Sequence, residues 1–172
     1  LAVYRALSKE LPQIPLHVGV TEAGALRQGT VKNSAAVGIL LESGIGDTMR
    51  LSLTADPVEE VHVAWELLAA LGMRRIKPEL VSCPTCGRCG VDMIPIAEEV
   101  TKRLDGVRAP ISVAVMGCVV NGPGEARGVD LGVACGKGQA VLFENGNPIR
   151  KVPEDKIVDE LFAEIENRFG KK

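Results

Sequence analysis

Four of the five cysteines fall in two segments, Cys83-Pro84-Thr85-Cys86-Gly87-Arg88-Cys89-Gly90 and Gly117-Cys118-Val119-Val120-Asn121-Gly122-Pro123-Gly124-Glu125. Thiolates at CxxC spacing sit on a turn that aims both sulfurs at one metal, and a third soft ligand from a distant loop closes such a site. Cys83, Cys86 and Cys118 supply three ligands on this reading. Cys89, Glu125 and Cys135 stay open for the fourth. A bacterial ferredoxin run would place a thiol four residues after Cys89, where Met93 stands. A zinc ribbon would want a second CxxC, whereas Cys118 and Cys135 are 17 residues apart. Buried free thiols are the plain alternative, and for Cys135, in the apolar run from Leu131, that is the expected state.

The loop around Glu125 carries a further signal. Two glycines and a proline let backbone approach a bulky centre and hold the loop in shape. They present Glu125 a short way beyond Cys118. A carboxylate is a hard, labile ligand, so on a soft iron–sulfur cluster it marks the iron that can exchange its ligand for substrate. The cluster would then be a catalyst as well as an electron store. A tight surface turn with a solvated Glu is the alternative.

Both thiol segments follow short apolar runs, Leu80-Val81 and Ile111 to Met116, which predict buried strands. A helix is expected from about Met93 to Leu104. Strands are expected over Leu131 to Cys135 and Gln139 to Glu144, with Asn145-Gly146 as a hairpin turn into Ile149 to Val152. Pro153-Glu154-Asp155 starts a last helix with Val158, Leu161, Ile165 and Phe169 inward, ended by Gly170. This half is α+β.

The upstream half has another rhythm. Leu1, Tyr4, Leu7 and Leu11 stand at helical spacing. Leu16 to Val20 and Thr48 to Leu53 predict strands. Asn33 or Ser34 is expected to cap a helix ending near Glu42, and Asp56-Pro57 to open another with Val58, Val61, Trp65, Leu68 and Leu71 on one face. Alternating strands and helices imply βα units with parallel pairing. The pattern changes after Pro78, giving expected domains 1–76 and 77–172. Two βα units cannot close a barrel, and a start at Leu1 in mid-helix suggests a piece of a longer protein.

Composition removes several classes. With 172 residues, 46% hydrophobic and 24% charged, the chain is ordinary for a globular protein. A net charge of −2 and no Lys/Arg run give no footprint for nucleic acid. At 3% aromatic, the chain does not recognise partners by stacking. Its longest apolar stretch, Ala35 to Leu41, is too short to cross a bilayer, and the residues from Leu1 do not read as a basic, apolar secretion leader. An odd number of cysteines at CxxC spacing fits a reduced cytoplasm and a metal better than a disulfide framework.

Cys-Pro-Thr-Cys, Gly-Cys-Val-Val-Asn-Gly-Pro-Gly-Glu, His17-Val18-Gly19-Val20-Thr21-Glu22-Ala23-Gly24 and Gly46 to Leu53 together resemble the hydroxymethylbutenyl diphosphate synthases, the GcpE or IspG family. The resemblance covers essentially the whole chain and is to the family's C-terminal part. It implies an α/β plus α+β fold: the last two βα units of a TIM-like barrel, then a small iron–sulfur domain. It implies a [4Fe-4S] cluster on Cys83, Cys86 and Cys118 with Glu125 as displaceable fourth ligand. The implied reaction is reductive ring opening of 2-C-methyl-erythritol 2,4-cyclodiphosphate, with electrons from ferredoxin or flavodoxin. A homodimer in the cytoplasm is also implied. Cys89 departs from the family pattern and could compete with Glu125, but the intact Asn-Gly-Pro-Gly-Glu loop favours Glu125.

Barrel loops after the last two strands commonly hold phosphate. The first such loop carries Arg27 and Lys32, with Lys32 expected just before a helix N-terminus, where an anion is favoured. Arg50, between Met49 and Leu51, is expected to point into the barrel and to need an anionic partner. Asn121 is expected at the substrate, and Glu22 in proton transfer. His17 reads as a satisfied core histidine, His62 as having no role, and Trp65 as core. An iron–sulfur electron-transfer module and a structural zinc domain are the other classes. Both require four thiolates, hence Cys89 or Cys135 as ligand.

Overall fold

The computed structural model describes residues 1–118 and 122–170. The chain divides into two compact units, Leu1–Arg75 and Ile76–Lys172.

In the first unit the order is α1 (Ala2–Glu10), β1 (His17–Gly19), α2 (Leu26–Glu42), β2 (Thr48–Arg50) and α3 (Pro57–Ala70). β1 and β2 run parallel, with Val18 opposite Met49. Their core is Val18, Val37, Leu40, Leu51 and Leu67, all buried. Because strand side chains alternate, His17, Gly19, Thr48 and Arg50 lie on the face away from α2 and α3. His17 is therefore exposed rather than in the core, and its Nδ1 lies 2.8 Å from Thr48 Oγ1 across the ladder.

α3 begins as its sequence predicts. Asp56 Oδ1 accepts from the Val58 N–H at 2.9 Å, and Pro57 occupies the first turn, where a missing N–H costs nothing. Its inward face, however, is Val63, Ala64, Leu67 and Leu71, while Val58 and Val61 are exposed and Trp65 is only half-buried. The helix is apolar nearly all round, so periodicity alone does not choose the face. The choice falls to the neighbours, including Glu60, whose Oε1 accepts from the Leu53 N–H at 2.9 Å.

α2 starts at Leu26, seven residues before the expected cap at Asn33. Ala25 has no capping side chain, so the true start carries no local signal. Asn33 instead turns inward, and its Nδ2 donates to Gly29 O at 2.9 Å and Ser52 O at 3.1 Å. Gly29 is required within the helix, since a Cβ there would meet Leu53 Cδ2 at 2.5 Å and Gly24 O at 2.8 Å.

The second unit contains β3 (Glu79–Ser82), α4 (Met93–Leu104), β4 (Ser112–Met116), the single turn α5 (Gly122–Glu125), β5 (Leu131–Gly136), β6 (Gln139–Glu144), β7 (Asn147–Pro153), a 3-10 turn (Glu154–Lys156) and α6 (Ile157–Phe169). One sheet has the order β3-β4-β5-β6-β7. β3, β4 and β5 are parallel, and β6 and β7 return antiparallel. Asn145 and Gly146 both have positive φ, 48° and 77°, which is the twist that a two-residue hairpin demands.

The two sheet faces differ. Val113, Val115, Leu131, Val133, Cys135 and Leu142 pack under α4 and α6 in the larger core. Ala114, Met116, Ala134 and Phe143 form a smaller cluster on the other face, joined by Ala126 and Val129. Register between β4 and β5 is set at their starts. Asp130 Oδ2 accepts from Ser112 N at 2.7 Å and Ser112 Oγ at 2.8 Å, while Asp130 N–H donates to Ser112 Oγ at 3.0 Å.

Candidate functional site

β3 and β4 end side by side, so the residues after them share one edge of the sheet. Cys83 follows β3, and Gly117-Cys118 follows β4. The Gly117 N–H donates to Cys83 Sγ at 3.1 Å. The loop closes back through Cys89 N–H to Cys86 O at 3.0 Å and Gly90 N–H to Gly117 O at 2.9 Å. Thus the two thiol segments meet at Gly117.

Glycine is demanded there. A Cβ on Gly117 would lie 2.6 Å from Cys89 Sγ and 3.2 Å from Met93 Cγ. Gly122 is demanded too, since its Cβ would meet Met116 Cβ at 2.7 Å and Ala134 Cβ at 3.2 Å. That contact lays α5 on the face of Met116 and Ala134. Cys83 packs on the same face, against the smaller cluster.

Cys89 and Cys135 belong to the opposite face, within the larger core. The Cys89 thiol donates to Val91 O at 3.1 Å. Cys135 is fully buried, as its apolar run predicts. Burial, with Cys89 and Cys83 adding repulsion, pushes its thiol up to about 12. It stays protonated at neutral pH.

Cys83 and Cys118 are half-buried, whereas Cys86 and Glu125 are exposed. Among the described residues no three His, Cys, Asp or Glu side chains are gathered closely enough to hold a metal ion. The donor set nevertheless suits a soft cluster. Three thiols leave adjacent strand ends, a backbone N–H already points at one sulfur, and a carboxylate rides on α5 over the same face. Cys86 is exposed, and a Cβ on its neighbour Gly87 would meet nothing within 4 Å. Asn121 lies outside the described residues.

In the first unit Glu22 sits in the loop after β1 with φ 55°, and it is exposed. Arg27 lies in the first turn of α2 and Lys32 in its second, so Lys32 does not precede the helix as expected. The loops after β1 and β2 are tied together by Thr54 N–H to Gly24 O at 2.9 Å, and the Asn33 amide ties α2 to Ser52 in the second loop. Arg27, Lys32 and Arg50 are exposed cations without ion-pair partners among the described residues. Arg50 is on the face away from the helices. Asn33 is the residue that sequence reasoning missed: its type and position imitate a helix cap. A cleft of about 710 Å³, floored by Val107, Pro110, Ile165 and Phe169, lies at the far end of the sheet from the thiols and has no part in this arrangement.

The profile of the GcpE TIM-barrel domain matches residues 1–65, and that of the GcpE protein C-terminal domain matches residues 79–167. The protein of Geobacter sulfurreducens named 4-hydroxy-3-methylbut-2-en-1-yl diphosphate synthase (flavodoxin) is 55% identical over 172 residues, which is 100% of this chain and 48% of that protein. Proteins with the same name from Clostridium acetobutylicum and Aquifex aeolicus are each 56% identical, over 95% and 92% of this chain and 47% and 44% of their own lengths. The chain spans about half the length of the curated relatives it matches. With more than half of its residues under a single family profile and a second profile over its barrel unit, this chain belongs to the GcpE family.

Proposed function

We propose that this chain carries the metal-holding part of an enzyme that reductively opens 2-C-methyl-D-erythritol 2,4-cyclodiphosphate to 4-hydroxy-3-methylbut-2-enyl diphosphate. Its place would be the non-mevalonate route to isoprenoids, in the cytoplasm, in a homodimer. Flavodoxin or ferredoxin would deliver two electrons, and the names of the relatives favour flavodoxin. Residues 77–172 are then an iron–sulfur domain, with a [4Fe-4S] cluster on Cys83, Cys86, Cys118 and Glu125.

The observation that carries this reading is the Gly117 N–H donating to Cys83 Sγ where the Cys83 and Cys118 segments meet, with Cys83 on the sheet face over which α5 lies. Cys89 and Cys135, which either four-thiolate alternative needs, pack into the other face. When bound, such a cluster supplies electrons and one iron open to an oxygen ligand. The protein's own groups supply the rest. The Gly117 N–H stabilises negative charge on Cys83 sulfur and orients it. Glu125, exposed on α5, would be the displaceable fourth ligand. Arg27 and Lys32, unpaired near the start of α2, bind the diphosphate. Arg50 meets its charge from the strand face, Asn121 orients the substrate, and Glu22 holds or moves a proton. Two strands enclose no pocket, so turnover belongs to a chain of the relatives' length.

The test is iron and sulfide analysis of anaerobically purified protein, with Mössbauer spectra. About four irons per chain are expected. Cys83→Ser, Cys86→Ser and Cys118→Ser should each lose most of the iron, while Cys89→Ser keeps it. In a chain of the relatives' length, Glu125→Ala should retain iron and lose turnover. Zinc in place of iron, or iron lost with Cys89→Ser, overturns the proposal.

A further inference from the structure

The geometry points to a second thiol site, separate from the metal ligands: Cys89 and Cys135 form a dithiol that a hydroperoxide converts reversibly to a disulfide. β4 and β5 run parallel with Met116 opposite Ala134, and one more step of that register sets Gly117 beside Cys135. Register partners in a sheet point to the same face, with neighbouring strands about 4.8 Å apart. Cys89 Sγ fills the place of the missing Gly117 side chain, 2.6 Å from where its Cβ would stand. It is therefore the lateral neighbour of the Cys135 side chain. Both thiols pack in the same apolar cluster.

The adjoining backbone repeats this closeness. A Cβ on Gly90 would lie 3.2 Å from Gly136 Cα and 3.3 Å from Lys137 N, so the residues next in chain to the two cysteines are in contact. A disulfide needs its Cβ atoms about 3.5–4.5 Å apart. Glycines at 90, 117 and 136 leave no side chain of their own in the way of such a bond. Cys83, by contrast, packs on the other face of the sheet.

Cys89 is half-buried and Cys135 fully buried, which sets the order of events. Cys89 sulfur attacks one peroxide oxygen, the O–O bond breaks, and water or an alcohol leaves, giving a sulfenic acid. The Cys135 thiol then condenses with the Cys89 sulfenic acid, its proton passing to the leaving oxygen. The S–S bond forms, the S–O bond breaks, and hydroxide leaves with the Cys135 proton as water. The two thiols lose two electrons, and the peroxide gains them. The bridge would pin the Cys83–Gly90 loop to β5 beside Gly117, and a dithiol reductant would release it.

Neither thiol belongs to the proposed cluster ligands, so this inference survives or fails independently of the metal reading. The full 172-residue chain, reduced anaerobically and then treated with one equivalent of hydrogen peroxide, is unfolded in iodoacetamide and mapped without reduction. A peptide pair joined through Cys89 and Cys135 is expected, with alkylatable thiols falling from five to three. Dithiothreitol should restore them. In Cys135→Ser, a sulfenic acid at Cys89 should accumulate and be trapped by dimedone. Oxidation of Cys89 in the unsubstituted chain with Cys135 still alkylatable overturns the inference. So do bridges confined to Cys83, Cys86 and Cys118, or no bridge at all.

Discussion

Gly117 shows how much one residue can decide. Its N–H holds Cys83 sulfur, its carbonyl holds Gly90, and its absent side chain leaves room for Cys89. Gly117→Ala should lower stability by about 1–3 kcal/mol, the usual cost of overpacking. Urea unfolding of the variant checks this. In a Cys89→Ala background most of that loss should disappear, because the clash is with sulfur. Asn33 is the matching residue in the barrel unit. Its buried amide bonds carbonyls from two chain segments, and Oδ1 has no partner among the described residues. Asn33→Ala removes the side-chain donor from Ser52 O and the second donor from Gly29 O and should cost about 1–3 kcal/mol. Hydrogen exchange should quicken in α2 and in the loop after β2 if the amide ties them.

α6 is fastened to the sheet by charge as well as by burial. Arg150 reaches Glu160 at 2.5 Å and Glu164 at 3.5 Å, and Arg168 bonds Glu164 at 2.6 Å and also reaches Glu144. Arg168 foremost, with Arg150 behind it and burial opposing, holds the Glu164 carboxyl below the usual carboxylate range. A lowered carboxylate value stabilises the fold above its unfolded value of about 4.3, and that stability is lost as pH falls through the lower folded value. Glu164→Gln should therefore lower the melting temperature at neutral pH. The difference from the unsubstituted protein should close as the pH falls below about 4. Melting curves across that window are the check. The α4 side of the same layer is held differently, by Arg103 bonded to Asp159 at 2.8 Å and lying 4.3 Å from the centre of the Phe162 ring.

At the scale of the whole molecule, each unit has its own buried cluster, one around Val18 and Leu67, the other around β4, β5 and β6. Gly132 packs against the smaller cluster on the other face of that sheet. A Cβ there would meet the Phe143 ring at 2.4 Å and Ala114 Cβ at 2.9 Å. Gly132→Ala should open β4, β5 and β6 to hydrogen exchange while β1 and β2 keep their protection. Among the described residues no helix is long and apolar enough to cross a membrane.

The amino-acid sequence by itself determined everything that rests on local chemistry. The Asp56-Pro57 helix start, the Asn145-Gly146 hairpin, the buried state of Cys135 and the family resemblance all follow from neighbouring residues. Only the tertiary structure decided what depends on contacts distant in the chain. It turned Asn33 from a cap into a buried tie, chose the inward face of α3, moved Lys32 into a helix and exposed His17. It also put Cys89 and Cys135 on one sheet face and Cys83 on the other. The reason is physical. Spacing along a chain sets which residues share a turn, whereas the register between strands, fixed here by Ser112 and Asp130, sets which side chains meet across them.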